Sequence, residues 1–148
     1  MVLSLDQIGG NQFLWQHGDL SMRLYESTSV LLKLTGDSDV NTMINLSGSG
    51  PAYPPVNTPF VVTWYYGNDG LFVLINGSHV WSSPKANSNT YINEVGTEGR
   101  LMADGTSGKL YDLRIYSAKH DDVEINNTID AISMDLNIDL STPLAFAS

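Results

Sequence analysis

Apolar and polar residues alternate along much of this chain. Leu20, Met22 and Leu24 oppose Ser21 and Arg23. Val30, Leu32 and Leu34 oppose Lys33, and Phe60, Val62, Trp64 and Tyr66 oppose Val61, Thr63 and Tyr65. A period of two marks a strand with one dry and one wetter face, the pattern of antiparallel sheets. Clusters of Gly, Asn, Ser, Thr and Asp interrupt these runs roughly every 8–12 residues, the spacing of a β-sandwich. The pattern predicts strands near residues 12–16, 20–26, 29–35, 40–46, 59–66, 71–76, 78–82, 91–95, 100–103, 108–117 and 132–140. The one good helix candidate is 121–128: Asp121 or Asp122 can cap it, and Glu124 sits in the first turn, where the helix dipole favours acid.

The strongest local signal is a hairpin. Leu71-Phe-Val-Leu-Ile75 meets Asn76-Gly77 and returns as Ser78-His-Val-Trp81. Asn-Gly between apolar runs predicts a type I′ turn, because both central residues need positive φ. About thirty residues later comes Gly108-Lys-Leu-Tyr-Asp-Leu-Arg-Ile-Tyr116 and then Asp121-Asp-Val-Glu-Ile125. In the first of these, Tyr111, Leu113 and Ile115 are predicted inward, with Asp112 and Arg114 on the other face.

This order resembles the laminin-G-like branch of the concanavalin A-like lectin/glucanase superfamily. There a "YvNG" hairpin is followed by a "G-x-I-D-x-v-R-I-Y" strand and a short "s-x-E-I" helix. The resemblance covers about residues 12–128. It implies an all-β fold, an antiparallel β-sandwich of jelly-roll type, as a single domain over 1–148 with one short helix near 121–128. Laminin-G-like domains usually begin with an extra strand ahead of the position of Phe13-Leu-Trp15 and end soon after the helix. Here the start reads as abrupt, and a tail follows in which Ile132, Met134, Leu136, Ile138 and Leu140 alternate with Ser133, Asp135, Asn137 and Asp139. A tail strand within 131–148 is therefore expected. It would fill the slot of the missing first strand, end a chain cut from something larger, or pair with a neighbouring subunit in a homo-oligomer.

Composition narrows the function classes. The net charge is −9 with seven Lys and Arg, so no basic stripe exists for phosphate backbones or anionic membranes, and neither nucleic acid nor membrane is an expected partner. There is no Cys, which removes disulfides, thiolate zinc sites and thiol catalysis. Met1-Val-Leu-Ser-Leu-Asp6 lacks the basic start and apolar run of a signal peptide, and no stretch nears 18 apolar residues. An extracellular or virion-surface location, reached by another route, is the expectation. Gly48-Ser-Gly-Pro-Ala-Tyr-Pro-Pro55 reads as a surface loop inside one domain.

Catalysis finds little support. Glycosidases of the superfamily use closely spaced carboxylates on a strand, and the nearest pair here is Glu94 and Glu98. Four residues apart on a strand places them about 13 Å apart, beyond the roughly 5–9.5 Å that glycoside hydrolysis uses. His17, His79 and His120 lie in unrelated segments. The chain is expected not to be an enzyme. For calcium, Asp37, Asp39 and Asp112 are the candidate oxygen ligands, because many family members hold one rim calcium; Asp beside Gly also favours turns without any metal. For a glycan or surface polysaccharide, the candidates are Tyr66, Asn68, Asp69, Trp81, Asn87 and Asn89, an aromatic platform beside polar loops. Trp15 and Trp64 are expected in the core. The sequence supports, in order, a non-catalytic carbohydrate-binding or adhesion module; a structural virion protein, a capsid decoration or tail-fibre domain, partnered by capsid or tail proteins; and, third, a glycoside hydrolase-related module.

Overall fold

A computed structural model describes residues 1–7, 12–17, 20–25, 31–35, 41–45, 56–67, 70–84, 99–103 and 105–140. Within them the chain forms β1 (Val2–Leu5), β2 (Gln12–His17), β3 (Leu20–Tyr25), β4 (Leu31–Thr35), β5 (Asn41–Asn45), β6 (Phe60–Gly67), β7 (Gly70–Ile75), β8 (Ser78–Pro84), β9 (Gly99–Ala103), β10 (Gly108–Asp112) and helix α1 (Asp122–Leu136). The described structure is thus mostly antiparallel β-sheet with one helix. One sheet has the order β10-β1-β6-β7-β8 and the other β5-β4-β3-β2-β9. The Asn76-Gly77 turn is as predicted: φ is 47° and 77°, and β7 and β8 pair up to Ile75 and Ser78.

Along β1 and in parts of β6 and β7, the first sheet is buried on both faces. Val2 pairs with Val61 and Thr63 with Leu74, so alternation aims Val2, Val61 and Leu74 to one side. There they pack with Ile125, Ile129 and Ile132 of α1 and with Leu140. The opposite set, Leu3, Leu5, Phe60, Val62, Val73 and Ile75, is buried too. On that side Trp64 meets Trp15 of the second sheet, ring centroids 5.2 Å apart. Gly108 allows β10 to close on β1: a Cβ there would land on the Ser4 carbonyl oxygen and lie 3.1 Å from Leu5 Cα.

Helix α1 corrects the reading of the tail. The expected strand over 132–140 does not form, because residues up to Leu136 are helical. Ile125, Ile129 and Ile132 are buried and Leu136 is partly buried, at spacings of four, three and four, which is one face of a helix. Ile132 and Leu136 serve either period; Met134 serves only the strand, and it is 82% exposed. The start is fixed by a capping box: Glu124 N donates to Asp121 Oδ1 at 2.8 Å, and Asp121 N donates to Glu124 Oε2 at 2.9 Å. No Gly or Pro falls within the helix, so nothing ends it at 128. It ends at Asn137, in the left-handed region with φ 52°. Ile138 N donates to Ser133 O at 3.0 Å and Asn137 N to Met134 O at 3.3 Å, a Schellman arrangement. Ser133 Oγ then donates to Ile138 O and accepts from Leu140 N, which seats Leu140 in the core.

Two further expectations change. The first strand is not missing: β1 pairs with β6 on one side and β10 on the other. Val2-Leu-Ser-Leu5 is buried throughout, and a strand buried on both faces shows no alternation to read. The strand expected over 108–117 stops at Asp112. Past it Leu113 is half-buried and Arg114 exposed, as expected, but Ile115 is 78% exposed. The strand expected at 91–95 and the 48–55 loop lie outside the described residues.

Candidate functional site

The site is built on the direction of the β6 backbone. Val61 bonds Asn76: Asn76 N donates to Val61 O at 3.0 Å, and Val61 N donates to Asn76 Oδ1 at 2.8 Å. Val61, Thr63 and Tyr65 therefore aim their main-chain groups at β7, while Val62 and Trp64 aim the other way. Val62 is met there by Met1, whose amine donates to Val62 O at 2.9 Å and whose carbonyl accepts from Val62 N at 2.9 Å. Beyond Val62 no described strand pairs with this edge, and the Trp64 N–H and C=O face a cleft.

The cleft encloses about 370 Å³. Residues 61–65 of β6 form one wall, Asp112 and residues 114–120 the other, Ile125, Thr128, Ile129 and Ile132 of α1 the third, with Met1 and Trp15 completing it. Its lining is largely apolar and aromatic, with a few polar groups, the usual make-up of a ligand site. Tyr116 packs on His120 at 4.2 Å between centroids. Tyr65 stacks on Phe72 at 4.8 Å, and Lys119 Nζ lies 4.9 Å from the Tyr65 centroid and 5.4 Å from that of Phe72, within cation–π range.

Charge in the cleft is partly balanced. Arg114 Nε donates to Asp112 Oδ1 at 3.2 Å and to Oδ2 at 3.4 Å, and an η nitrogen reaches Oδ2 at 3.4 Å. The Asp112 hydrogen bond is the main cause that raises the Arg114 guanidinium above its ordinary value. Burial pulls the Met1 amine from 8.0 down to about 6, against the opposing pull of Asp112. Outside the cleft, His79 Nε2 lies 3.0 Å from Asp122 Oδ1, tying the β7–β8 hairpin to the start of α1.

Of the residues expected from sequence, Asp112 lies in the cleft with its carboxylate engaged by Arg114. Tyr66 and Trp81 are strand positions flanking β7, Tyr66 opposite Leu71 and Trp81 opposite Val73. Gly67 pairs with Gly70 and Gly70 with Pro84, so the end of β8 lies beside the start of β7. Asn68, Asp69, Asn87, Asn89, Asp37, Asp39, Glu94 and Glu98 lie outside the described residues. Among the described residues no three His, Asp or Glu side chains gather as a metal site. Trp15 and Trp64, expected in the core, are half-buried and line the cleft. Sequence reasoning passed over Arg114, Tyr116, Lys119 and His120. The available signal was basic residues interleaved with an aromatic over seven positions of a strongly acidic chain.

Comparison with known families, with curated proteins and with solved structures gives no match for this chain.

Proposed function

We propose that this chain is a non-catalytic carbohydrate-binding or adhesion module of a cell or virion surface, built as a β-sandwich, with the cleft beside β6 as its site. The contact of Trp15 with Trp64 between two five-stranded sheets supports the sandwich. The observation that carries the binding reading is the cleft's mixture of groups. Rings of Trp64, Tyr65 and Tyr116 can cover the C–H face of a sugar, while Trp64 main-chain groups, Thr128 and His120 can bond its hydroxyls. The non-catalytic reading is supported by the carboxylates: the described lining holds one, Asp112, and it is committed to Arg114, whereas glycoside hydrolysis uses two.

The test is a glycan array with wild type and Tyr116→Ala, chosen because Tyr116 is 48% exposed and its loss spares the core. Binding that falls at least about tenfold in the variant, with an unchanged melting temperature, is the expected result. Absence of any glycan hit, or full binding by Tyr116→Ala, overturns it. A structural virion role is the second reading, favoured by the Trp64 edge, which can accept a strand of a partner protein. It predicts a homo-oligomer or a complex with capsid or tail proteins in place of glycan hits.

A further inference from the structure

We infer that Asn76 is a site of spontaneous chemical modification, which the fold keeps shut and which opens when the β7–β8 hairpin lifts off α1. Asn76-Gly77 is the one Asn-Gly pair in the sequence. The Gly77 nitrogen and the Asn76 side-chain carbonyl carbon can close a five-membered ring, and Gly77 has no Cβ to hinder the approach. The step balances with water alone. The Gly77 nitrogen attacks Asn76 Cγ, so the N–Cγ bond forms and the Cγ–Nδ2 bond breaks. The amide proton leaves with Nδ2 as ammonia. Water then opens the succinimide at one of its two carbonyls. One opening gives aspartate; the other gives isoaspartate, in which the main chain runs through the former side chain.

Ring closure requires the Asn76 backbone and side chain to rotate together, and the folded protein holds both. The two turn residues sit at φ 47° and 77°, with β7 and β8 paired on either side at Ile75 and Ser78. The carboxamide is tied to β6, because Val61 N donates to Asn76 Oδ1 at 2.8 Å while Asn76 N donates to Val61 O at 3.0 Å. The turn also rests on α1: a Cβ on Gly77 would fall on Asn126 Oδ1 and lie 3.5 Å from Ile129 Cδ1. His79, just past the turn, meets Asp122 at 3.0 Å. Attack therefore waits for a local opening of the hairpin, an event less costly than global unfolding. Isoaspartate then adds a methylene to the main chain of a two-residue turn, whose length sets the strand register. The hairpin cannot close as before, so the reaction makes a passing opening permanent.

The experiment incubates the full chain in mildly alkaline buffer, folded and in denaturing urea. Peptide mass spectrometry follows Asn76 and separates asparagine, aspartate and isoaspartate. Conversion should be at least about tenfold slower in the folded protein. Gly77→Ala, read in urea where folding plays no part, should lower the unfolded rate. Ile129→Ala removes part of the turn's seat on α1 and should raise the folded rate while leaving the unfolded rate unchanged. Leu14→Ala, equally buried but in β2 of the other sheet, should raise the folded rate less. Protein enriched in isoaspartate by ion exchange should melt below the unconverted protein. Equal rates folded and unfolded overturn the inference, as does an Asn76 that stays intact in urea; neither measurement needs a variant. Equal acceleration by Ile129→Ala and Leu14→Ala overturns it too, because global unfolding and not the hairpin would then be the gate.

Discussion

Replacing Gly77 with Ala tests the hairpin and its contact with α1 together. Two costs are expected. Gly77 has φ 77°, a region that charges a residue with a Cβ roughly 1–2 kcal/mol. The added Cβ would also fall on Asn126 Oδ1 and lie 3.5 Å from Ile129 Cδ1. Asn126 is exposed and its amide can swing aside, so the steric part is the smaller. The sum is about 1–2 kcal/mol, or a melting temperature lower by roughly 2–8 °C in a domain of this size. Urea titration should show a lower midpoint with an unchanged slope, since the surface exposed on unfolding is the same. A double-mutant cycle with Asn126→Ala separates the causes. With the amide removed, Gly77→Ala should still cost about 1 kcal/mol from backbone strain. No destabilisation, or a cost that vanishes entirely in the Asn126→Ala background, would refute a turn fixed by positive φ.

Ile129→Ala should cost about 2–5 kcal/mol, because Ile129 packs between α1 and the first sheet; Ile115→Ser should stay within about 0.5 kcal/mol, and equal effects in urea melts would return residue 115 to a buried strand. Asp121→Ala removes the cap and should cost about 0.5–2 kcal/mol, with Glu124→Gln keeping most of the stability because an amide oxygen still accepts from Asp121 N. The Met1 amine makes stability depend on pH. Above pH 8 it is neutral in both states. Between pH 8 and about 6 the unfolded chain takes up a proton that the folded chain resists, so stability falls as pH falls, and below about 6 the loss levels off. The loss approaches about 2–3 kcal/mol, measured by urea melts at steps of pH against a Met1-acetylated reference that cannot titrate; parallel curves for the two chains would contradict it.

The sequence made the sheets legible wherever one strand face differs from the other. β3 and β6 and the Asn76-Gly77 turn fall within a residue or so of the reading, because alternation and positive φ are local demands. β1 was illegible because all four of its residues are buried. The tail misled because Ile132 and Leu136 fit periods of two and of 3.6 alike; the capping box at Asp121 and Glu124, which was legible, outweighs the later alternation by nucleating a helix that nothing breaks. The cleft as a whole could not be read, although one wall left a local signal. It brings residues 61–65 to Asp112 and residues 114–120, a tertiary meeting that no local spacing encodes.

The place of β1 inside its sheet has a kinetic side. The β7–β8 hairpin and α1 close over a few residues and can form in microseconds. Ser4 and Tyr111, by contrast, are 107 residues apart in sequence. By the logarithmic law of chain closure, joining such distant partners costs roughly 4 kcal/mol of entropy before any contact repays it. During synthesis β1 can pair with β6 once that strand is made, but its other edge stays open until β10 follows. Folding of this chain should be limited by that late pairing, and its most aggregation-prone period falls while Val2-Leu-Ser-Leu5 is made but β10 is not.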